Sequence, residues 1–176
     1  NNFSADIIAD IYMNSATHMI TKGELYAELD MIERKKRNVI IFGLNESEDK
    51  NECREQDKTR VLDLFQDIGA DAKVVNYYRV GYPAAVKTRP MVVCLETPES
   101  RSAILNLAKQ LKNQHKWKKV YLAEDLTKNQ YNLDKMRETS LKEDAARRNQ
   151  QVNNKGILWK VVGGRGTRRI VMVRTD

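Results

Sequence analysis

Positively charged side chains, placed in short groups beside apolar runs, are the residues of this chain whose spacing suggests a chemical task. Four of them, Arg34, Lys35, Lys36 and Arg37, stand directly before the apolar run 39–42. Lysine and arginine pair with phosphate oxygens whatever the sequence of the attached bases. Because further groups of cations flank other apolar runs, the pattern predicts binding to a polyanion.

The block 34–37 has more than one interpretation. It lies where an entering helix would meet the first predicted strand, so it would sit at the margin of a sheet and extend a cationic track. If several chains met there, the block would be multiplied. A hinge or a nuclear localisation patch is the alternative, because short Lys/Arg runs serve these purposes as well.

The net charge of +7 is unevenly distributed along the chain. Residues 1–96 are slightly acidic, whereas residues 97–127 carry 6 Lys/Arg against 3 Asp/Glu and residues 128–176 carry 12 against 5. This asymmetry favours a polyanionic partner that is approached by one face or one end of the protein. The alternative is a lysine-rich surface that serves only solubility.

Catalytic and metal-binding patterns are missing from the sequence. The two histidines, His18 and His115, have no acid or nucleophile at a recognisable spacing, and no Walker loop, HExxH or nucleophile elbow occurs. Cys53 and Cys94 stand far apart, without a partner at metal-ligand spacing. We therefore expect no enzyme activity, no metal, no cofactor and no small-molecule substrate.

Membrane and export signals are missing from the sequence as well. No apolar stretch approaches the roughly 20 residues of a membrane helix, and the N-terminus does not resemble a signal peptide. A chain with two widely separated cysteines fits a reducing, intracellular compartment. We expect no membrane association.

Residues 1–37 are predicted to be helical. Leu25, Leu29 and Ile32 follow one another at four- and three-residue steps, and the same register extended backward is polar in its middle and apolar again at Ile11. This pattern is typical of the end of a coiled coil with polar layers that fix its register. Two short helices broken at Gly23 are the alternative.

Residues 38–125 alternate between strand and helix patterns. Four strands are predicted from β-branched runs at 38–44, 73–81, 90–96 and 120–124. Apolar residues at i, i+3, i+4 and i+7 from Val61 to Ile68 predict a helix closed by Gly69, and Thr97 and Pro98 begin a second one. The order strand, helix, strand, strand, helix, strand is that of the ferredoxin-like βαββαβ fold, in which one sheet face stays open.

Residues 126–176 are expected to form a small C-terminal domain. A charged helix is predicted over 126–150, and two alternating runs, ILWKVV and RRIVMV, flank the turn GGRGT as in a β-hairpin. The predicted fold class is therefore α+β. It comprises an N-terminal helical segment over 1–37, a ferredoxin-like domain over 38–125 and this helix-plus-hairpin domain over 126–176.

The RNA recognition motif is a common single-strand binder with the βαββαβ order, and its first and third strands carry aromatic residues that stack bases. Here the first strand places Ile40 and Phe42 on one face, opposite Val39 and Ile41. The third strand, PMVVCLE, has no aromatic where the motif has several. We therefore expect an atypical motif that relies on cations around its sheet.

The chain resembles, in several stretches taken in order, the first open-reading-frame protein of LINE-type non-LTR retrotransposons. These stretches are ERKKRNVIIFGL, YYRVG, RPMVVCLETPESRSAIL, VYLAEDLTKNQ and ILWKVVGGRG, and the resemblance covers residues 33–176. It implies an N-terminal coiled coil that forms a trimer, an atypical RNA recognition motif and a small C-terminal domain, which together package RNA and act as a nucleic-acid chaperone. It also implies RNA contacts by Arg79, Arg89 and Lys135.

The expected partner is single-stranded RNA, with single-stranded DNA as a second ligand, and self-association as a homotrimer is expected rather than as a dimer. The expected location is cytoplasmic ribonucleoprotein particles, and the nucleus in addition. The predicted RNA-binding residues are the cations Arg34, Lys35, Lys36, Arg37, Arg79, Lys87, Arg89, Lys116, Lys118, Lys119, Lys135, Arg165, Arg168 and Arg169, and the aromatic residues Tyr78, Trp117 and Trp159.

A non-catalytic protein-interaction module with the same fold is the alternative function. The downstream charge excess argues against it, and salt dependence separates the two. On single strands affinity falls with a slope of about −0.7 per neutralised phosphate, so about five contacts predict a fall of about 3.5 decades per decade of salt. A peptide-binding module would show little of this dependence.

Overall fold

The fold is mixed α+β, as predicted, and combines helices with two antiparallel sheets. It is taken from a computed structural model that describes residues 21–47, 53–82, 88–151, 156–165 and 167–174. The chain divides into two compact units between Asp125 and Leu126, and each unit is described by itself.

Helix α1 spans Lys22–Lys35 and begins with a capping box. The Thr21 side chain accepts a hydrogen bond from the backbone N–H of Glu24, and the Glu24 carboxylate accepts one from the backbone N–H of Thr21. None of its residues is buried, and the apolar side chains of Leu29 and Met31 are exposed. The upstream part of the predicted coiled-coil seam lies outside the described residues.

The first unit contains a four-stranded antiparallel sheet in the order β2-β3-β1-β4. Its strands are β1 (Asn38–Phe42), β2 (Val74–Arg79), β3 (Met91–Leu95) and β4 (Tyr121–Glu124). Helix α2 (Cys53–Asp67) follows β1, and helix α3 (Pro98–Leu107) follows β3. Two short 3₁₀ helices, Ala108–Asn113 and His115–Trp117, then lead into β4.

The core of the first unit lies between one face of this sheet and the helices. The stripe that predicts α2 is confirmed, because Val61, Leu64, Phe65 and Ile68 are all buried and Gly69 ends the helix with φ +69°. The predicted start of α3 is confirmed as well: the Thr97 hydroxyl accepts a hydrogen bond from the backbone N–H of Ser100. The sheet contributes the fully buried side chains Val39, Ile41, Met91, Val93 and Leu95.

The opposite face of the sheet carries a different set of side chains. Residues paired directly across antiparallel strands share a face, and Phe42 of β1 pairs with Tyr121 of β4. Tyr77 packs against the core, whereas the Tyr78 side chain points away from it and is half-exposed. The expected alternation along β1 and β2 is therefore confirmed.

A buried ion pair connects α2 with β2, and its arginine also bonds the loop after β1 and the segment before β3. The guanidinium of Arg79 donates to both carboxylate oxygens of Asp57, and to the backbone carbonyls of Leu44, Asn45 and Arg89. Arginine has five N–H donors, so each of them has an acceptor. Both side chains of the pair are about 95% buried.

The second unit consists of one long helix and a two-stranded hairpin. Helix α4 spans Lys128–Gln151, and strands β5 (Ile157–Val162) and β6 (Arg169–Arg174) pair antiparallel, as the sequence predicts. The side-chain amide of Asn149 on α4 bonds both the backbone N–H and the carbonyl of Trp159 on β5. This contact joins the helix to the hairpin.

Loss of the buried pair should destabilise the protein strongly. We expect Asp57→Asn to lower the free energy of unfolding by about 3–5 kcal/mol, because the buried guanidinium would lose its counter-charge. The matched control is Glu96→Gln, which removes an exposed pair with Lys73 and should cost far less, because solvent screens this pair. Urea-induced unfolding followed by circular dichroism measures both, and equal losses in the two variants would contradict the assigned role.

Candidate nucleic-acid interface

Three cations of the block 34–37 are paired with carboxylates. Arg34 contacts Asp30 at 2.7 Å, and Lys36 contacts Glu33 one turn earlier in the same helix. Lys35 donates to the buried carboxylate of Asp125 at 2.7 Å and so joins the end of α1 to the end of β4. Arg37 is exposed and makes no ion pair with any residue that the structure describes.

Arg79 and Arg89 differ in burial and in the number of hydrogen bonds that they make within the protein. All five donors of Arg79 are engaged within the protein, so it could reach a phosphate only by breaking one of these bonds. Arg89 is partly exposed and pairs with Glu46, and its hydrogen bond holds the pKa of that carboxyl below the ordinary range. Lys87 lies outside the described residues.

Lys116 and Trp117 are occupied by contacts to α2. Trp117 is 6% exposed, and its indole N–H donates to the Asp67 carboxylate at 2.8 Å. Lys116 pairs with the same carboxylate at 2.9 Å and lies over the Trp117 ring at 4.6 Å. The hydrogen bonds from Lys116 and then from Trp117 lower the pKa of Asp67. Trp117 is therefore a core residue in this structure rather than an exposed stacking platform.

Lys118 and Lys119 are exposed and have no ion pair within the described part of the chain. Together with Lys109 and Lys112, which are equally exposed and unpaired there, they line a cleft of about 380 Å³ that also includes Tyr121. None of the described residues that line it is acidic. We call this feature the lysine cleft.

A close backbone contact fixes one wall of the lysine cleft. Gly43 follows β1 with φ +75°, and a Cβ atom there would lie 2.0 Å from the carbonyl oxygen of Lys119. Only glycine tolerates both the left-handed backbone and this approach. The loop after Gly43 is held in turn, because Arg79 donates to the carbonyls of Leu44 and Asn45. The segment carrying Lys118 and Lys119 is thereby placed against the end of β1.

Two aromatic rings meet beside the lysine cleft. The rings of Phe42 and Tyr121 are stacked, with centroids 4.6 Å apart and an interplanar angle of 7°. The Tyr121 side chain remains 59% exposed, and β4, which carries it, is an edge strand. Tyr78, the aromatic predicted on this face, lies on the opposite edge strand and is 50% exposed.

Sequence reasoning missed Tyr121, Lys109 and Lys112. Alternation along the strand VYLAE places Tyr121 on the opposite face from its two neighbours in sequence. Only the pairing register between β1 and β4, however, places Tyr121 opposite Phe42. Lys109 and Lys112 were unremarkable residues at the end of a predicted helix. The 3₁₀ turn that follows α3 brings them to the lysine cleft.

Two of the three predicted arginines of the second unit are paired with carboxylates of α4. Arg165 and Arg168 both bond the Asp134 carboxylate, at 2.8 Å and 2.6 Å, and Arg168 also contacts Glu138. Burial opposes ionisation of Asp134, but the bonds from Arg168 and Arg165 outweigh it and lower the pKa of this group. These arginines thus hold the hairpin turn to the helix.

Three predicted residues of the second unit remain. Trp159 is half-buried, with the Arg148 guanidinium 5.1 Å from its ring centroid. Lys135 and Arg169 are exposed and make no ion pair with described residues. Lys135 and Arg169 are therefore the predicted cations of this unit that have no carboxylate partner in the described structure.

The described residues carry neither a metal-ligand cluster nor a membrane-spanning helix. They contain no group of three or more His, Cys, Asp or Glu side chains that could hold a metal ion. None of the described helices has both the length and the apolar composition of a membrane span.

No protein-family model matches the chain, and no curated protein gives a significant match.

The Glu46–Arg89 pair should make stability depend on pH in the acid range. Because the folded-state pKa of Glu46 lies below its ordinary value of 4.5, the pair stabilises the protein above that value and loses its effect as pH falls through the lowered pKa. Glu46→Gln should therefore lower the free energy of unfolding at pH 7, and this loss should shrink as pH falls below 4.5. Urea unfolding at several pH values measures this difference.

The control for this series is Glu143→Gln, which changes an exposed carboxylate without an ion pair in the described part of the chain. It should leave the free energy of unfolding nearly unchanged at every pH. A Glu46→Gln loss that does not shrink as pH falls below 4.5 would show that the ion pair is not its cause.

Proposed function

We propose that this protein binds single-stranded RNA without strong sequence preference, packages it and acts as a nucleic-acid chaperone. The observation that carries the proposal is the lysine cleft, whose four lysines have no ion pair with any described residue and whose described lining contains no acidic residue. Lysine charges without a carboxylate partner are available to phosphates, and an anion bound among them would relieve the repulsion between like charges.

The lysine cleft differs from the other predicted cations of the chain, most of which are paired with carboxylates. Most of the other cations that the sequence singles out already have a carboxylate within 4 Å, as do Arg34, Lys116 and Arg168. An RNA phosphate would have to displace that carboxylate before it gained an ion pair. The four lysines of the cleft offer their charge without this competition.

The chemistry of the lysine cleft suits a sequence-tolerant binder. Lysine ammonium groups contact phosphates, which are the same in every nucleotide, so they position the strand without choosing its bases. Single-stranded DNA has the same phosphates and is proposed as a second ligand. Lys135 and Arg169 of the second unit would add further phosphate contacts.

The finer architecture is part of the proposal. We infer that the first unit is an atypical RNA recognition motif, supported by its element order and by a sheet face whose aromatic residues lie on β1, β2 and β4 rather than on β3. The exposed Leu29 and Met31 of α1 support self-association through this helix, and the resemblance to retrotransposon proteins suggests a homotrimer. Both features agree with the resemblance to retrotransposon RNA-packaging proteins.

Charge reversal in the lysine cleft tests the proposal. We expect Lys118→Glu/Lys119→Glu to weaken binding of single-stranded RNA at least about tenfold at 0.1 M salt, for every sequence alike, and to reduce the salt slope by about 1.4. Fluorescence anisotropy with labelled homopolymers of each base, at several salt concentrations, measures affinity and slope together.

The matched control is Lys58→Glu, compared with the single variant Lys118→Glu. Lys58 is an exposed lysine of α2 that likewise has no ion pair in the described part of the chain, and it does not line the cleft. Equal losses of RNA affinity in these two variants would show that net charge, and not the position of Lys118 in the cleft, causes the effect. Wild-type binding with little salt dependence would favour the protein-interaction module instead.

A further inference from the structure

We propose that the stacked pair Phe42–Tyr121 is a base-stacking platform at the edge of the lysine cleft, and that its ligand is an unpaired nucleobase. This inference rests on the proposed function, since it concerns the bases of the same strand whose phosphates the lysines would bind. In the usual RNA recognition motif the stacking aromatic residues lie on the first and third strands. Here the platform would lie on the first and fourth strands.

The geometry of the two rings supports this role. They are nearly parallel, at 7°, with centroids 4.6 Å apart, so Phe42 supports one face of the tyrosine ring. With 59% of its side chain exposed on an edge strand, Tyr121 keeps accessible surface. A base that stacks on a ring already held by a neighbour orders fewer side-chain rotamers than one that binds a freely rotating tyrosine.

The neighbourhood of Tyr121 decides which ligand fits. Tyr121 lines the same cleft as Lys118 and Lys119, which precede it by three and two residues. A platform for a purely apolar ligand would not need cations beside it. A nucleotide has a flat base and an anionic phosphate, and single-strand binders combine aromatic platforms with basic grooves for this reason.

The platform would distinguish unpaired from paired strands. In a duplex each base is stacked between its neighbours and cannot place a face on Tyr121, whereas its phosphates remain accessible to lysine. The lysines alone would therefore bind both forms, and the ring adds affinity for the single strand only. Preferential binding to unpaired strands is what a chaperone needs to shift a helix towards its open form.

A structural role for the ring is the competing explanation. Aromatic pairs across neighbouring strands stabilise antiparallel sheets, and Phe42 and Tyr121 are such a pair. That role predicts a loss of stability when the ring is removed, and it predicts no difference between single-stranded and duplex ligands.

The test compares Tyr121→Thr, which removes the ring but keeps a strand-forming residue, with Tyr121→Phe, which keeps the ring. The full chain is titrated with an oligoadenylate, with an RNA duplex of equal length and with inorganic polyphosphate. We expect Tyr121→Thr to bind oligoadenylate about 5- to 100-fold more weakly, and to bind duplex and polyphosphate with unchanged affinity. Its salt slope should stay at the wild-type value, and Tyr121→Phe should bind like wild type.

Each outcome decides the matter. Equal losses for all three ligands in Tyr121→Thr would assign the ring a structural role and overturn the platform. Unchanged oligoadenylate binding in Tyr121→Thr, with binding still lost in Lys118→Glu/Lys119→Glu, would overturn the platform and leave the proposed function standing. If the wild-type protein binds none of the three ligands, the proposed function fails, and the platform fails with it.

Discussion

The buried ion pair between Asp57 and Arg79 is the constraint on which the loop after β1 and its neighbours depend. Through its five hydrogen bonds, Arg79 connects α2, the loop after β1 and the approach to β3. That loop starts at Gly43, whose missing side chain lets the Lys119 carbonyl approach β1. The lysine cleft and Tyr121 are thus positioned by a chain of contacts that begins in the interior.

Local pairing, rather than net charge, determines which cations of this protein are available to a ligand. The second unit has the larger excess of positive residues, yet Arg165 and Arg168 are both paired with Asp134, and Arg168 is paired with Glu138 as well. The first unit contains more acidic residues than the second, and Asp67 pairs with Lys116, but Lys109, Lys112, Lys118 and Lys119 have no ion pair within the described structure. A strongly charged stretch of sequence is therefore a weaker guide to an interface than a cation without a nearby acid.

Secondary structure could be predicted from this sequence, whereas the candidate site could be predicted only in part. Local patterns were sufficient for α2 and α3, because their caps and apolar stripes act within a few residues. Arg79 and Arg89 could not be distinguished, since their partners, Asp57 and Glu46, lie 22 and 43 residues away in sequence. Tyr121 was missed for the same reason: its neighbour Phe42 is brought to it by strand register alone.

Lysine acetylation footprinting of the full chain, with and without a saturating single-stranded RNA, tests the central claim most directly. The lysines of the cleft, Lys109, Lys112, Lys118 and Lys119, are exposed in the free protein and should lose reactivity together when RNA binds. Lys58, which lies outside the cleft, should keep its reactivity. Protection of other lysines, with these four as reactive as in the free protein, would contradict the proposed interface.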